Sequence, residues 1–235
     1  MYVDISNLCK DWGEFSLRNI SLGIEEGRYF ALLGPCGSGK TMLLSTIAGL
    51  YRPDAGRIFI GGEDVTFIPP EKRNIGYLFQ GGFLFPHLSV KENIYYGLRY
   101  RNINKSYVEL VMHLLNIDDK LLNRRDVVNL SGGEARKIAL ARSLVVRPRL
   151  LLVDEPLAFL DPISQQQVLD SLKALNRNLG ITTIHVTHTS FEIRELADTV
   201  AVLAEGSVLQ TGQAREVLDR PNDIVQERYW GKARV

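Results

Sequence analysis

Tyr29-Phe-Ala-Leu-Leu-Gly-Pro-Cys-Gly-Ser-Gly-Lys-Thr-Met-Leu-Leu-Ser-Thr-Ile-Ala-Gly-Leu50 is the stretch that decides how this chain folds. Its first five residues form an unbroken apolar run, the pattern of a strand buried on both faces. Gly34-x-x-x-x-Gly39-Lys40-Thr41 follows, and then Leu43, Leu44, Ile47 and Ala48 recur at helical spacing. Strand, glycine loop and helix, in that order, are the context a phosphate-binding loop requires. Gly34, Gly37 and Gly39, with Pro35, Cys36 and Ser38 between them, let the backbone aim its N–H groups inward around an anion. The helix start adds a partial positive charge of roughly +0.5. Lys40 is then expected to reach the β- and γ-phosphates, and the Thr41 hydroxyl to ligate Mg²⁺. An ordinary glycine-rich turn would not need Lys-Thr at its end.

Working outward, 235 residues suit one α/β domain with a sizeable core and room for an inserted subdomain. A net charge of +1 with mixed signs leaves no electrostatic footprint for bulk nucleic-acid binding, so no nucleic-acid partner is expected. No apolar run reaches bilayer length, and Met1-Tyr-Val-Asp-Ile does not read as a secretion signal. The cytosol is the default compartment. Cys9 and Cys36 are too far apart for a zinc pattern, and Cys36 reads as a small side chain at a permissive loop position.

Before the loop, residues 2–28 alternate weakly and read as short antiparallel strands with turns at Asp11-Trp12-Gly13 and Glu25-Glu26-Gly27. An indole at such a turn either stacks on a purine or packs on the sheet, and position alone favours packing. After the loop, Ile58-Phe-Ile60 and Ile75-Gly-Tyr-Leu-Phe79 read as strands, the second ending at Gln80. Phe83-Leu-Phe-Pro-His87 is an aromatic-rich loop, expected to be exposed, and Ser89 with Glu92 is a candidate helix start. Residues 86–148 read as a helical insertion, with Leu110, Val111, Leu114 and Leu115 on one buried face.

Leu130-Ser-Gly-Gly-Glu134 opens the next helix. Ser131 and Glu134 have capping-box spacing, but two glycines in a first turn lower helix stability. Gly132 and Gly133 instead leave N–H groups uncovered at a helix start, which makes a second anion site. Leu150-Leu-Leu-Val-Asp154-Glu155 is a buried strand ending in two carboxylates. Asp154 is placed to hold Mg²⁺ and Glu155 to polarise a water. Asp161-Pro162 caps a helix with Val168, Leu172, Leu175 and Leu179 as its stripe and Gly180 as its end. Thr182 to Val186 is a further buried strand running into Thr187-His188, with His185 facing the core or a neighbouring helix. A hairpin turns at Glu205-Gly206, and a polar tail starts at Arg220.

The order of these pieces resembles the ATP-binding cassette ATPases from about residue 2 to about residue 220. Gly34 to Thr41 matches Walker A, Gln80 the Q-loop, Leu130 to Glu134 the family signature, and Leu150 to Asp154 with Glu155 Walker B and its glutamate. Leu160-Asp161 is similar to the D-loop and His188 to the switch histidine. Trp12 falls where the family places an aromatic against adenine, which turns that residue from packing to stacking. The resemblance implies an α/β P-loop NTPase with a RecA-like core, an antiparallel β subdomain and a helical insertion: 1–85 with 149–235, and 86–148. It implies ATP and Mg²⁺ as ligands, with Thr41, Gln80 and Asp154 serving the metal. It also implies an ATP-sandwiched dimer in which Ser131, Gly132 and Gly133 of one copy complete the site of the other.

A finer resemblance runs through Pro70-x-x-Arg73-Asn-Ile-Gly-Tyr-x-Phe-Gln80, Leu84-Phe-Pro-His-Leu-Ser-Val90 and Asn93-Ile-x-x-Gly97-Leu98 to import cassettes, most of all those for molybdate or tungstate. It implies the peripheral ATPase subunit of an importer on the cytoplasmic face of the membrane. Permease subunits would dock near Phe83, Phe85 and His87, with a solute-binding protein as an indirect partner and no C-terminal regulatory domain. Importers of iron, polyamines or sugars and soluble cassettes of DNA repair or translation are the competing readings. Glu134, Thr189-Ser190 and Pro162 depart from the commoner family residues without removing a catalytic group.

Overall fold

The structure is a computed structural model that describes residues 1–100 and 103–227; the end of the polar tail lies outside them. Two compact units emerge: Met1–Ile75 with Thr182–Val235, and Gly76–Ile181.

In the first unit, β1 (Val3–Asp11) is flanked by two antiparallel partners, β2 (Ser16–Ile24) and β4 (Ala55–Ile60). The short β5 (Glu63–Asp64) pairs with β4, giving the order β2-β1-β4-β5. The weak alternation of this segment is the signature of a sheet with one buried face: Val3, Ile5, Leu8, Leu17, Ile20, Ile24, Ile58 and Ile60 are all buried.

The same unit holds β3 (Tyr29–Leu33), fully buried, between two parallel neighbours. Tyr29 to Leu33 runs in register with Thr183 to Thr187 of β8 (Thr182–Thr187) on one side. On the other, Phe30 to Leu33 pairs with Thr199 to Val202 of β9 (Thr199–Ala204). Strand β10 (Ser207–Gln213) closes an antiparallel hairpin on β9 through Glu205-Gly206. Helix α1 (Lys40–Ala48) leaves β3 through the glycine loop and stops at Gly49, which is left-handed at φ +86°. Arg73, buried, donates to the carbonyls of Thr46 and Ile47 at the end of α1 and to those of Thr66 and Ile68. A cation there complements the negative end of the helix dipole.

In the second unit, β6 (Ile75–Leu78) neighbours β7 (Leu150–Asp154). Its helices are α2 (Val90–Tyr95), α3 (Lys105–Leu114), α4 (Asp119–Leu122), α5 (Gly132–Leu144) and α6 (Pro162–Leu179). Both expected capping boxes form, at Ser89–Glu92 and Ser131–Glu134. Asp161 accepts from the N–H groups of Ile163 and Ser164, and Gly180 ends α6 in the left-handed region. The buried stripe of α3 differs from the expected one. Leu110 is exposed and Leu114 half-buried, while Val108, Val111 and Leu115 are buried, at the i, i+3, i+7 spacing of one helical face. After Thr187 the first unit adds α7 (Ser190–Leu196) and, past the hairpin, α8 (Ala214–Asp219) and α9 (Asp223–Val225).

Candidate functional site

The loop from Gly34 to Thr41 is shaped by three close approaches. A Cβ on Gly34 would collide with the Leu203 carbonyl oxygen, so β9 packs directly on the loop's first residue. The Ser38 N–H donates to Pro35 O at 3.2 Å, and Ser38 O accepts from Gly206 N–H at 3.1 Å, which ties the loop to the β9–β10 turn. Gly37 and Gly39 sit at φ +79° and +99°, where a side chain would be strained. A Cβ on Gly39 would lie 2.5 Å from the Phe15 ring, so that ring rests on the residue that starts α1.

Lys40 is 5% exposed and donates through Nζ to the carbonyls of Gly34 (2.8 Å) and Pro35 (2.9 Å). Its ammonium is therefore held inside the loop. Ser38 Oγ is buried and has no hydrogen-bond partner, an orphaned donor inside a cradle of amides and an ammonium. Such groups are rare unless a ligand satisfies them, and this set fits an anion. Pro35, Cys36 and Gly37 form the exposed outer arc of the loop.

Two further expected residues share the first unit with this loop. Leu33 pairs with Thr187, so the next residues, Gly34 and His188, leave adjacent parallel strands at the same end. His188 is exposed there. Trp12 is half-buried in the β1–β2 turn with its ring 6.4 Å from Phe15 and 5.4 Å, edge-on, from Tyr51. Lys10 Nζ lies 5.8 Å from the Trp12 ring.

The second unit carries Gln80, Ser131, Gly132, Gly133, Asp154 and Glu155. Asp154 ends β7 and is buried, whereas Glu155 turns into the left-handed region at φ +42°. A non-glycine residue at such a φ is uncommon and gathers at functional sites. Gln80 Nε2 donates to Glu155 Oε2 at 3.1 Å. At the start of α5, Gly133 faces Ser164 of α6, and a Cβ on Gly132 would press on Leu160. Among the described residues no group of three or more His, Cys, Asp or Glu side chains could hold a metal ion. The Thr41 hydroxyl in the first unit, and the Gln80 amide oxygen and Asp154 carboxylate in the second, are each hard oxygen donors of the kind Mg²⁺ takes.

Sequence reasoning missed four residues. Phe15 backs Gly39. Arg136 of α5 donates to the carbonyls of Phe79, Gln80 and Ala158, holding the signature helix to the chain beside Gln80; burial lowers its pKa. Arg142 donates to Phe83 O, and its guanidinium lies 4.8 Å from the Phe85 ring. Phe85 is thereby half-buried rather than exposed, while Phe83, at 71%, and His87 remain open. Glu192 is buried beneath the turn that carries His188. Its signal was readable, because Thr189-x-x-Glu192 has capping-box spacing.

Residues 17–158 match the family model described as ABC transporter. A molybdate/tungstate import ATP-binding protein of Pyrococcus horikoshii is 44% identical over 97% of this chain and 66% of its own length. The protein of the same description from Thermococcus kodakarensis is 43% identical, over 98% and 71%. A sulfate/thiosulfate import ATP-binding protein of Agrobacterium fabrum is 40% identical, over 99% and 70%. The chain thus spans about two thirds of the length of these relatives. Among solved structures, cbiO1 from Clostridium perfringens, part of the ABC transporter complex cbiONQ, superposes with a TM-score of 0.83 at 26% identity, covering 98% of this chain and 96% of that one. The dimeric post-hydrolysis state of the ATP-binding cassette MJ0796, bound to ADP and Pi, gives 0.77 at 28% identity, over 91% and 99%.

Proposed function

The chain belongs to the ABC transporter family, and we propose that it is the ATP-hydrolysing subunit of an importer for a small oxyanion, molybdate or tungstate first. Similarity along nearly the whole chain to import ATP-binding proteins carries this reading. The P-loop NTPase fold of this family, with an antiparallel β sheet besides the loop-bearing strands, agrees with it.

Each residue takes a role from its chemistry. Lys40, the amides of Gly34, Pro35, Cys36, Gly37, Ser38 and Gly39, and the Ser38 hydroxyl hold the phosphates. Trp12 stacks on adenine. Thr41, Gln80 and Asp154 would hold Mg²⁺, which would supply neutralisation of phosphate charge. Glu155 orients the attacking water and takes its proton. His188 holds the γ-phosphate from the end of β8. Ser131, Gly132 and Gly133 offer their helix start to the nucleotide of a second copy, in a dimer related by a two-fold axis. The helical segment 86–148 transmits opening of that dimer to the permease, which docks at Phe83, Phe85 and His87. A solute-binding protein delivers the cargo on the far side. Among the described residues no helix is long and apolar enough to cross a membrane, and the proposed location is peripheral, on the cytoplasmic face.

The test is uptake of molybdate, tungstate and sulfate by cells lacking the chain and by cells re-supplied with it. Restored molybdate or tungstate uptake supports the reading. Restoration of sulfate alone moves the cargo to the other oxyanion class among its relatives, and recovery of neither, with no permease co-purifying, removes the importer assignment.

A further inference from the structure

Beneath the turn that carries His188 lies a buried polar cluster with no part in the roles above. Glu192 Oε1 accepts from Thr187 Oγ1 at 2.9 Å and from Thr189 Oγ1 at 2.8 Å. The Thr189 N–H donates back to Thr187 Oγ1 at 3.1 Å. One carboxylate oxygen therefore grips the residues immediately before and after His188. The hydroxyl of Thr189, the N-cap of α7, is turned to this carboxylate and caps no backbone N–H. Glu192 Oε2 lies 2.9 Å from His185 Nε2 without an aligned N–H between them. His185 Nδ1 meets the Tyr29 hydroxyl at 2.9 Å. Tyr29 and His185 are both 1% exposed.

The charge states agree with this geometry. Burial pushes the Glu192 carboxyl up, but His185 and the hydroxyls of Thr189 and Thr187 outweigh it and hold the group below its ordinary range, so it is an anion. Burial, with the charge of Glu192 added, keeps the Tyr29 hydroxyl protonated. The Tyr29 hydroxyl shares a hydrogen bond with His185 Nδ1, and the other ring nitrogen, Nε2, lies against Glu192 Oε2. A buried carboxylate is costly unless it is paired and hydrogen-bonded, and removing one partner of such a set leaves the others unsatisfied.

We propose that Glu192 is a positioning residue for His188: its carboxylate, seated on His185 and Tyr29, fixes Thr187 and Thr189 and so sets the direction in which the exposed imidazole leaves the sheet. This rests on the reading of His188 as a γ-phosphate contact. It also gives the departure at Thr189 a purpose, since the threonine there supplies one of the two hydroxyls that hold the carboxylate.

The test is a double-mutant cycle on Mg-ATP hydrolysis by the full chain, with His188→Ala, Glu192→Ala and the double variant. Glu192→Ala is expected to lower kcat about tenfold while KM for ATP stays within about twofold, and the double variant to be no slower than His188→Ala alone. Glu192→Gln, which keeps an oxygen to accept from both threonines, should recover to within about threefold of the parent. Multiplicative losses in the double variant, or an unchanged kcat in Glu192→Ala, overturn the proposal. Full turnover in His188→Ala would instead remove the reading of His188, and this proposal with it. If Glu192→Ala does not fold by thermal melting, Thr189→Val replaces it in the cycle: non-additivity with His188→Ala sustains the proposal, and additivity or no effect ends it.

Discussion

Gln80 Nε2 donates to Glu155 Oε2 across 3.1 Å, joining a residue two positions past the end of β6 to the one that follows β7. A carboxylate in this contact, at the end of a buried strand and in a strained backbone region, is held in one orientation before any substrate arrives. Pre-orientation of this kind is what a general base needs.

The first expectation follows from that contact. Glu155→Gln retains an oxygen that can accept from Gln80 but cannot take a proton from water. Turnover should fall by roughly 10²–10⁴-fold, with ATP affinity unchanged, as read by steady-state hydrolysis beside equilibrium binding. Retention of most of the turnover would exclude Glu155 as the base.

Trp12 supplies the second. Its ring leans on Tyr51 and Phe15, and Phe15 in turn rests on Gly39. If the indole stacks on adenine, Trp12→Ala should weaken ATP binding by roughly 1–3 kcal/mol, borrowing the value from base–aromatic stacking, and Trp12→Tyr should do little. Nucleotide titration followed by tryptophan fluorescence checks it, with Trp230 replaced to leave a single indole. Equal affinity in Trp12→Ala would return the residue to packing.

The third concerns acid stability. Asp64 accepts from the Thr66 hydroxyl (2.6 Å) and N–H (3.0 Å) and from Arg57 (2.6 Å). Thr66 first, then Arg57, lower its pKa from the ordinary 3.8 to about 2. A carboxyl with a folded pKa below its unfolded value adds stability above the unfolded pKa and loses it as pH falls through the folded one. The window is therefore about pH 4 down to about pH 2. Asp64→Asn should flatten that part of the acid-unfolding profile, and an identical profile would show that the group contributes nothing there.

A fourth expectation tests the sharing of sites between copies. Lys40→Ala and Ser131→Arg homodimers each carry two defective sites, and neither should associate with ATP in a Glu155→Gln background. A mixed dimer collects both defects in one site and leaves the other whole. Mixing differently tagged chains should restore association on size-exclusion chromatography. If each variant is folded and mixing restores nothing, the shared site loses its support.

How much of this could be read in advance divides by the range of the interaction. The glycine loop, the boxes at Ser89 and Ser131, the Asp161-Pro162 start and the Gly180 stop are written within a few residues of each other, and all formed. Leu110 failed because two helical faces of α3 both carry leucines and valines, and only packing chooses between them. Arg136 and Arg142 reach carbonyls more than fifty residues away, at Gln80 and Phe83, with no local pattern to announce the partner. Glu192 sat in a readable capping pattern, but its depth and its second partner, His185, come from strand register.

The outer arc of the phosphate loop has a practical consequence for chemistry on the native protein. Of its two cysteines, Cys9 is half-buried and its sulfur accepts the Asn19 N–H, whereas Cys36 stands exposed between Pro35 and Gly37. A thiol-selective alkylating reagent should therefore mark the unmodified chain at one place first, inside the loop itself. Mass spectrometry of alkylation with and without nucleotide would then serve as a footprint of loop occupancy, with Cys9 as the internal reference.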